Sequence, residues 1–124
     1  MTSSLLVKKD TEHSIYRFAS LHLRRLQFCK LISKEKFSLP RNVVGHLYLR
    51  SRYARLGLVP VLMGRVEAGW SGRLVLELLN ASEDDLVLEA GARLASLEFV
   101  RLHKSVSKGY SGSYMDFASD IADA

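Results

Sequence analysis

Short apolar runs alternate with turn-forming residues along the chain after Pro40, so that uninterrupted segments there stay short. Five of these runs have the length of a strand: Val43 to Leu49, Leu58 to Met63, Arg73 to Leu79, Leu86 to Leu88, and Leu94 to Val100. Several short strands separated by regular breaks predict an all-β protein, built as a sandwich or a barrel.

The segment from Ile15 to Ile32 has a mixed pattern. Ile15 and Phe18 fit one face of a helix, whereas Leu21 and Leu23 fit the alternation of a strand. The pattern leaves two alternatives open, a short N-terminal helix and a long strand.

Length and composition predict one compact domain, because 124 residues with 48% apolar side chains can form one hydrophobic core but are too few for two cores of ordinary size. We assign residues 1–108 to this domain. The tail after Lys108 is rich in Ser, Gly, Tyr and Asp, which predicts a C-terminal arm over residues 109–124.

The sequence contains no run near the roughly 20 apolar residues that span a bilayer, and the N-terminal apolar run is too short for a secretory signal. We therefore expect a cytoplasmic protein with no membrane partner, or one in the host cytoplasm or virion if the source is viral. Cys29 is the only cysteine, and the four histidines are scattered. This pattern predicts neither a disulfide nor a zinc site.

The formal net charge of +5 is distributed unevenly. Residues 1–55 hold 12 Lys and Arg against 3 Asp and Glu, a net +9, whereas the remainder holds 6 against 10, a net −4. A positive first half can meet a phosphate-bearing ligand, a nucleic-acid strand or an acidic partner, or it can simply be solvated.

Glu77 is the one carboxylate in the apolar run from Arg73 to Leu79. In a strand, Leu74, Leu76 and Leu78 would point to one face and Glu77 to the other, between apolar neighbours. A carboxylate without full hydration favours accepting a proton, which is the property of a general base. The alternative is a buried Glu paired with an arginine, or one end of a subunit contact.

Three arginines and a serine lie within six positions just before Gly57: Arg50, Ser51, Arg52 and Arg55. Planar guanidinium groups and a neighbouring hydroxyl suit phosphate oxygens, which predicts an anion site. The alternative is a solvated basic edge strand, because no glycine-rich Walker pattern is present.

The segment from Gly64 to Gly72 contains closely spaced glycines, two opposite charges and the only tryptophan. A tight turn of this kind can hold a sugar or a base. The alternative is a purely structural role, in which Arg65 and Glu67 pair with each other and Trp70 fills the core.

Four motifs occur in order: R-S-x-x-A-R-x-G-L from Arg50, R-V-E-x-G-W-S-G from Arg65, L-E-x-x-N from Leu76, and Y-x-G-x-Y from Tyr110. Together they resemble the dCTP deaminase and dUTPase family over about residues 37–114. The Glu within the third motif makes the dCTP deaminase branch the more similar one.

The resemblance implies a distorted jelly-roll that forms a homotrimer, with active sites at subunit interfaces and magnesium bound through the triphosphate of the nucleotide. The implied reaction is hydrolytic deamination of dCTP to dUTP, without zinc, since the H-x-E and P-C-x-x-C signature of zinc deaminases is absent. Glu77 would activate water for attack at C4, with Ser51 and Arg55 near the base and the water. Nucleotide contacts are expected from Arg50, Arg52, Arg65, Glu67, Gly69, Trp70, Tyr110, Gly112 and Tyr114.

The chain departs from the family pattern, and it is shorter than typical dCTP deaminases on its N-terminal side. The changed positions are Arg52 for Ser, Leu62 and Met63 for Thr-Ala, Glu67 for Asp, Ala68 for Pro, and Ser113 for Lys. They support an alternative function, a catalytically degenerate trimer with a regulatory, structural or virus-assembly role. We rank nucleic-acid binding last, because much of the basic charge lies in the phosphate motif itself.

Overall fold

Antiparallel strands make up most of the computed structural model, which describes residues 2–7 and 15–112. The strands before the helix are β1 (Thr2–Val7), β2 (Ile15–Arg17), β3 (Ser20–Leu23), β4 (Phe28–Ser38) and β5 (Val43–Leu49). The strands after it are β6 (Leu58–Leu62), β7 (Arg65–Val66), β8 (Ser71–Asn80), β9 (Leu86–Glu89), β10 (Ala92–Arg93) and β11 (Ala95–Arg101). The helix, α1, spans Ser51–Arg55. The predicted all-β class is confirmed.

The strands form three sheets around a shared core. The largest sheet has six strands in the order β10-β1-β4-β8-β6, with β2 paired to β1. A second sheet has the order β11-β5-β7, and β3 pairs with β9 in a third. One cluster of buried side chains draws on all three sheets: Leu76 and Leu78 from β8, Leu47 from β5, and Leu88 from β9.

Strand β8 lies between β4 and β6, and its two faces differ. Leu74, Leu76 and Leu78 are almost fully buried in the core, whereas the alternate residues Val75, Glu77 and Leu79 are only partly buried. Because successive side chains of a strand point to opposite faces, the apolar alternation decides which face is turned inward. The charge of Glu77 therefore lies on the outer face.

The predicted strands after Pro40 agree with the structure to within two residues at each end. The open question over Ile15 to Ile32 is also answered, because this segment contains β2, β3 and the first half of β4. The alternative of a short N-terminal helix is wrong there. No helix in residues 2–7 and 15–112 is long and apolar enough to cross a membrane.

A bulge in β4 accommodates a buried arginine. The register between β4 and β8 shifts between Ile32 and Lys36, and Arg73, which is 1% exposed, donates from Nη1 to the carbonyl oxygens of Ser33 and Lys34. The Ser33 hydroxyl in turn accepts from the backbone N–H of Leu74 at 2.8 Å. Backbone groups freed by the bulge are thereby satisfied.

Cys29 lies in the core beside Leu78 on the neighbouring strand. Burial raises the pKa of its thiol to about 12, against a smaller opposing effect of a hydrogen bond with the Leu78 backbone. The thiol therefore stays protonated at neutral pH, and it is a packing residue and not a nucleophile.

Asn80 fastens the end of β8 to its surroundings. Its side chain is fully buried, and Nδ2 donates to the carbonyl oxygens of Leu23 at 3.0 Å and Asp84 at 2.9 Å. Its Oδ1 accepts from the backbone N–H and the hydroxyl of Ser82 at 3.0 and 2.7 Å. One amide thus joins β3, β8 and the loop between β8 and β9.

Replacing Asn80 by Ala should lower the free energy of unfolding by about 2–4 kcal/mol, because several buried backbone groups lose their partners. Urea denaturation at one protein concentration measures this change. The matched control is Asp84→Ala, which removes an exposed side chain but keeps the carbonyl that Asn80 contacts, and it should cost no more than about 0.5 kcal/mol. Equal losses in the two variants would contradict this role for Asn80.

Candidate active site

A cavity of about 220 Å³ opens between β8, β7 and the segment that follows β6. Its walls are mainly apolar and include Leu47, Leu62, Met63 and Trp70. Its polar side chains are Arg65, Glu67, Glu77 and Tyr110. An apolar cavity with a few convergent polar groups is the usual form of a small-molecule site.

Glu77 lies in the cavity wall with its side chain 20% exposed. Its ion-pair partner is Lys30 of β4, whose Nζ lies 3.9 Å from Oε1. Lys30 is directly opposite Glu77 in the β4–β8 ladder, so both side chains emerge on the same face of the sheet. The partner is therefore a lysine, and the interpretation that paired Glu77 with an arginine is corrected.

The glycine-spaced turn shapes one side of the cavity. Gly69 has φ +82°, and its N–H donates to the Pro40 carbonyl at 3.2 Å. Trp70 is 8% exposed and donates from Nε1 to the Gly72 carbonyl at 3.2 Å. Trp70 consequently fills the core, as one alternative predicted, and it also lines the cavity. That the turn holds a sugar or a base stays a prediction.

Arg65 and Glu67 form an ion pair at the cavity edge, with Nε 3.5 Å from Oε2. Both side chains are about half exposed, at 53% and 52%. A pair this exposed contributes little to stability, so either partner is available to a ligand at small cost.

The start of the C-terminal arm returns to the turn. The N–H of Tyr110 donates to the Ala68 carbonyl at 3.0 Å, and its ring lies 4.8 Å from the Trp70 ring, centroid to centroid. Gly112 lies against the Tyr110 ring, where any side chain would collide with it. Tyr114 and Ser113 lie outside the described residues, and the extent of the arm stays a prediction.

The arginine motif lies elsewhere. Arg50 precedes α1, and Ser51, Arg52 and Arg55 lie on it, all four exposed. The motif is helical, which corrects the alternative of a basic edge strand. None of the four lines the cavity around Glu77.

The distance between the two groups follows from the register of β6 and β8. Strand β6 begins at Leu58, two residues after the C-cap of α1. Leu58 pairs with Asn80, whereas Leu62 pairs with Glu77. Four residues of strand separate those positions by roughly 13 Å. In one chain the arginine motif thus precedes the end of β6 opposite to the one that pairs with Glu77.

Lys30 is the site residue that the sequence reasoning missed. It is the one charged residue in the apolar run Phe28 to Ile32, the same kind of pattern that singled out Glu77. The mixed periodicity of Ile15 to Ile32 concealed it, because the pairing of β4 with β8 could not be inferred while the segment was undecided.

A family model described as dCTP deaminase-like matches residues 5–102. The chain belongs to this dCTP deaminase-like family. The resemblance inferred from the four motifs is therefore confirmed.

Curated dCTP deaminases are similar to the chain over part of their length. The protein of Thermococcus gammatolerans is 37% identical over 84 residues, which cover 68% of this chain and 53% of the relative. That of Buchnera aphidicola is 46% identical over 78 residues, covering 62% and 40%. The chain thus spans about half the length of the curated family members it matches.

Solved structures confirm the fold of the family. The native dUTPase of EIAV has a TM-score of 0.61 at 16% identity and covers 91% of this chain and 95% of its own. The 2'-deoxycytidine 5'-triphosphate deaminase of Agrobacterium tumefaciens has a TM-score of 0.64 at 16% identity, covering 82% and 38%. At this level of identity the likeness concerns the fold alone.

Replacing Gly69 by Ala should detach the arm of this family member from the turn. A side chain there would need the left-handed conformation and would lie 2.7 Å from the Gly109 Cα, and the left-handed backbone alone costs about 1–2 kcal/mol. We expect lower unfolding free energy and altered Trp70 fluorescence, because the Tyr110 ring moves away.

The control for this prediction is Gly64→Ala, at a cavity-lining glycine where an added Cβ would meet nothing within 4 Å. It should change stability by no more than about 0.5 kcal/mol and leave the fluorescence unchanged. Unaltered fluorescence in Gly69→Ala would contradict the proposed contact between turn and arm.

Proposed function

We propose that this protein is a dCTP deaminase-like hydrolase that removes ammonia from the cytosine ring of dCTP to give dUTP. The observation that supports the proposal most directly is Glu77, a carboxylate in the wall of an apolar cavity, in a chain that belongs to the dCTP deaminase-like family. The curated relatives named above are dCTP deaminases. Tyr110 and the turn around Trp70 line the same cavity.

The proposed chemistry is general base catalysis by Glu77. The carboxylate takes a proton from water as the oxygen of that water attacks C4, and this proton passes to the exocyclic nitrogen, which leaves as ammonia when the C4–N bond breaks. The remaining hydroxyl proton moves to N3, which gives the uracil ring. The apolar wall excludes bulk water from the carboxylate, which strengthens its interaction with the reacting water. Ser51 and Arg55 would stabilise the base and the water from a neighbouring subunit.

Magnesium is proposed to enter with the triphosphate. In the described part of the chain, no group of three or more His, Cys, Asp and Glu side chains is placed to hold a metal ion. Phosphate oxygens would hold the ion, which would offset their charge, and Arg50 and Arg52 would complete the phosphate contacts. Arg65, Glu67 and Gly69 would contact the sugar side of the nucleotide.

We propose a homotrimer with sites shared between subunits, because in one chain none of Arg50, Ser51, Arg52 and Arg55 lines the cavity around Glu77. Strand β6 supports this proposal. It is an edge strand and exposes Val59, Val61 and Leu62. Exposed apolar edge strands favour association, and a neighbouring copy covering this edge could bring its own α1 to Glu77.

Met63 favours a second candidate function, a trimer of this fold that has lost catalysis. Its side chain lies in the cavity wall together with that of Leu62, where the family resemblance leads us to expect smaller residues. Bulk at this position reduces the room for a pyrimidine beside Glu77. The discriminating measurement is a thermal-shift panel of dCTP, dUTP and dTTP with magnesium, because ligands that bind the folded state raise its melting temperature.

Purified protein with dCTP and magnesium should release ammonia, and Glu77→Gln should lower kcat by about 10²–10⁴-fold, the usual contribution of a general base. An enzyme-coupled ammonia assay measures both. The melting temperature of the variant and its oligomeric state serve as controls for folding. Absence of turnover with dCTP and with dUTP in the wild type would refute the proposed activity.

Mixing two inactive variants should restore activity if the sites are shared. In trimers reassembled from equal amounts of Glu77→Gln and Arg55→Ala, about a quarter of the interfaces combine an intact Glu77 with an intact Arg55 from another copy. We therefore expect about a quarter of the wild-type rate at full exchange.

The matched control mixes Glu77→Gln with Arg65→Ala. Both residues line the cavity of a single chain, so every cavity in this mixture keeps one defect. This mixture should show no activity beyond that of the two variants measured separately. Recovery in the control, or none in the first mixture despite verified subunit exchange, would contradict shared sites.

A further inference from the structure

Leu26 lies in the turn between β3 and β4, in a conformation that leucine rarely adopts. Its φ is +61°, and no other residue except glycine has a positive φ in the described part of the chain. The Gln27 N–H donates to the Arg24 carbonyl at 3.0 Å, so Leu26 is the third residue of a four-residue turn. A positive φ at this position favours glycine or asparagine, because a larger side chain is strained there.

The Leu26 side chain is also unusually exposed. At 64% it is the most exposed of the large apolar side chains in residues 2–7 and 15–112. The strained backbone therefore does not bring an apolar group into the core. A residue that is both strained and exposed gains little within its own chain, and outliers of this kind concentrate at functional positions.

Asn80 holds this turn in place from the neighbouring strand. The Asn80 carbonyl accepts from the Leu26 N–H at 2.7 Å, and the Asn80 N–H donates to the Gln27 carbonyl at 3.1 Å. The Gln27 side chain adds another contact, because its Oε1 accepts from the Arg24 N–H at 2.8 Å. Leu26 is therefore presented to solvent by a turn with a fixed backbone, which lowers the entropy lost when a partner covers it.

Opposite charges lie side by side at this end of the molecule. We call residues 24–27 the basic turn, because Arg24 and Arg25 in it are exposed. We call residues 82–85 the acidic loop, because it contains three exposed carboxylates: Glu83, Asp84 and Asp85. Asn80 contacts both segments, since its Nδ2 donates to a carbonyl of the acidic loop at 2.9 Å.

The basic turn and the acidic loop do not neutralise each other. None of their five charged side chains forms an ion pair with another residue that the structure describes. Because the two segments are adjacent, a second copy rotated by 180° about an axis between them places each basic turn against the acidic loop of the other copy. The surface is thus complementary to itself.

Other partners fit this surface less well. An anionic membrane or a nucleic acid would be attracted by the basic turn but repelled by the acidic loop beside it. A second copy of the chain meets both segments with charges of the opposite sign.

We propose that this end of the molecule pairs two copies of the chain, with Leu26 of each copy covered by the other and each basic turn against the partner's acidic loop. The contact does not use the exposed edge of β6, and it goes beyond the proposed function. It turns a monomer into a dimer, and it joins the proposed trimers into an assembly of at least six copies.

The first test reverses the charges on one segment at a time. Sedimentation velocity over a range of protein concentrations measures the pairing. Arg24→Glu with Arg25→Glu should weaken it at least about 100-fold, and so should Glu83→Arg with Asp85→Arg, because like charges then face each other. Melting temperatures of both variants serve as controls for folding.

An equal mixture of the two reversed variants should regain the wild-type mass, since each acidic turn then meets a basic loop. Loss of pairing in both variants without recovery in the mixture would overturn the proposal. So would a wild-type protein whose mass equals that of the variants at every concentration. The comparison decides the contact whether or not the trimer exists and whether or not dCTP is turned over.

The second test separates stability from pairing at Leu26. Leu26→Gly should raise the melting temperature of dilute protein slightly, because glycine adopts a positive φ without strain. It should nevertheless weaken the pairing about tenfold, because the apolar side chain is lost. Leu26→Asn also tolerates this conformation and should weaken the pairing alike. Unchanged pairing in both variants would overturn the role of Leu26.

Phe99→Thr is the matched control, because Phe99 is a similarly exposed apolar residue, at 56%, on the sheet formed by β11, β5 and β7. It should leave the pairing unchanged, and an equal loss in this variant would contradict the proposed surface. Vesicles of phosphatidylserine supply the remaining comparison. Wild-type binding to them that is lost in Leu26→Gly, with self-association unaltered, would assign the turn to a lipid surface and overturn the proposal.

Discussion

Buried and partly buried side chains alternate along β8, and this alternation sets which face of the strand is turned to the core. Leu74, Leu76 and Leu78 pack in the core. Because successive side chains of a strand point to opposite faces, Glu77 lies on the other face. A shift of one residue in the pairing of β8 would place that charge in the core and three leucines outside. The cost of burying an unpaired charge thus helps to fix the register that also forms the cavity wall.

Two buried polar residues hold β8 in this register at its ends. Arg73 occupies the bulge of β4 near the start of the strand, and Asn80 joins its last residue to Leu23 and to the following loop. Both donate hydrogen bonds to backbone carbonyl oxygens of neighbouring segments. These contacts lie on either side of Glu77 and join the ends of β8 to its neighbours.

The glycine turn has a different role, because it lets two segments of backbone approach each other. Gly69 and Gly109 lie so close that a side chain on Gly69 would collide with the Gly109 Cα. This contact places Tyr110 over Trp70 and beside the cavity. The helix α1 is held at the other end of β6, so the single chain contains two separated groups of candidate site residues.

From the sequence alone one could predict the all-β class, the limits of five of the seven described strands after Pro40, the family, and the unusual position of Glu77. The two-residue strands β7 and β10 were not predicted. The predicted features depend on local periodicity, turn residues and the order of motifs, all of which are read from neighbours along the chain. Three features became evident only in the folded chain: Ile15 to Ile32 contains strands, Lys30 pairs with Glu77, and the arginines of α1 do not line the cavity. Such facts depend on the register between strands far apart in sequence, which is set by the packing of the whole core.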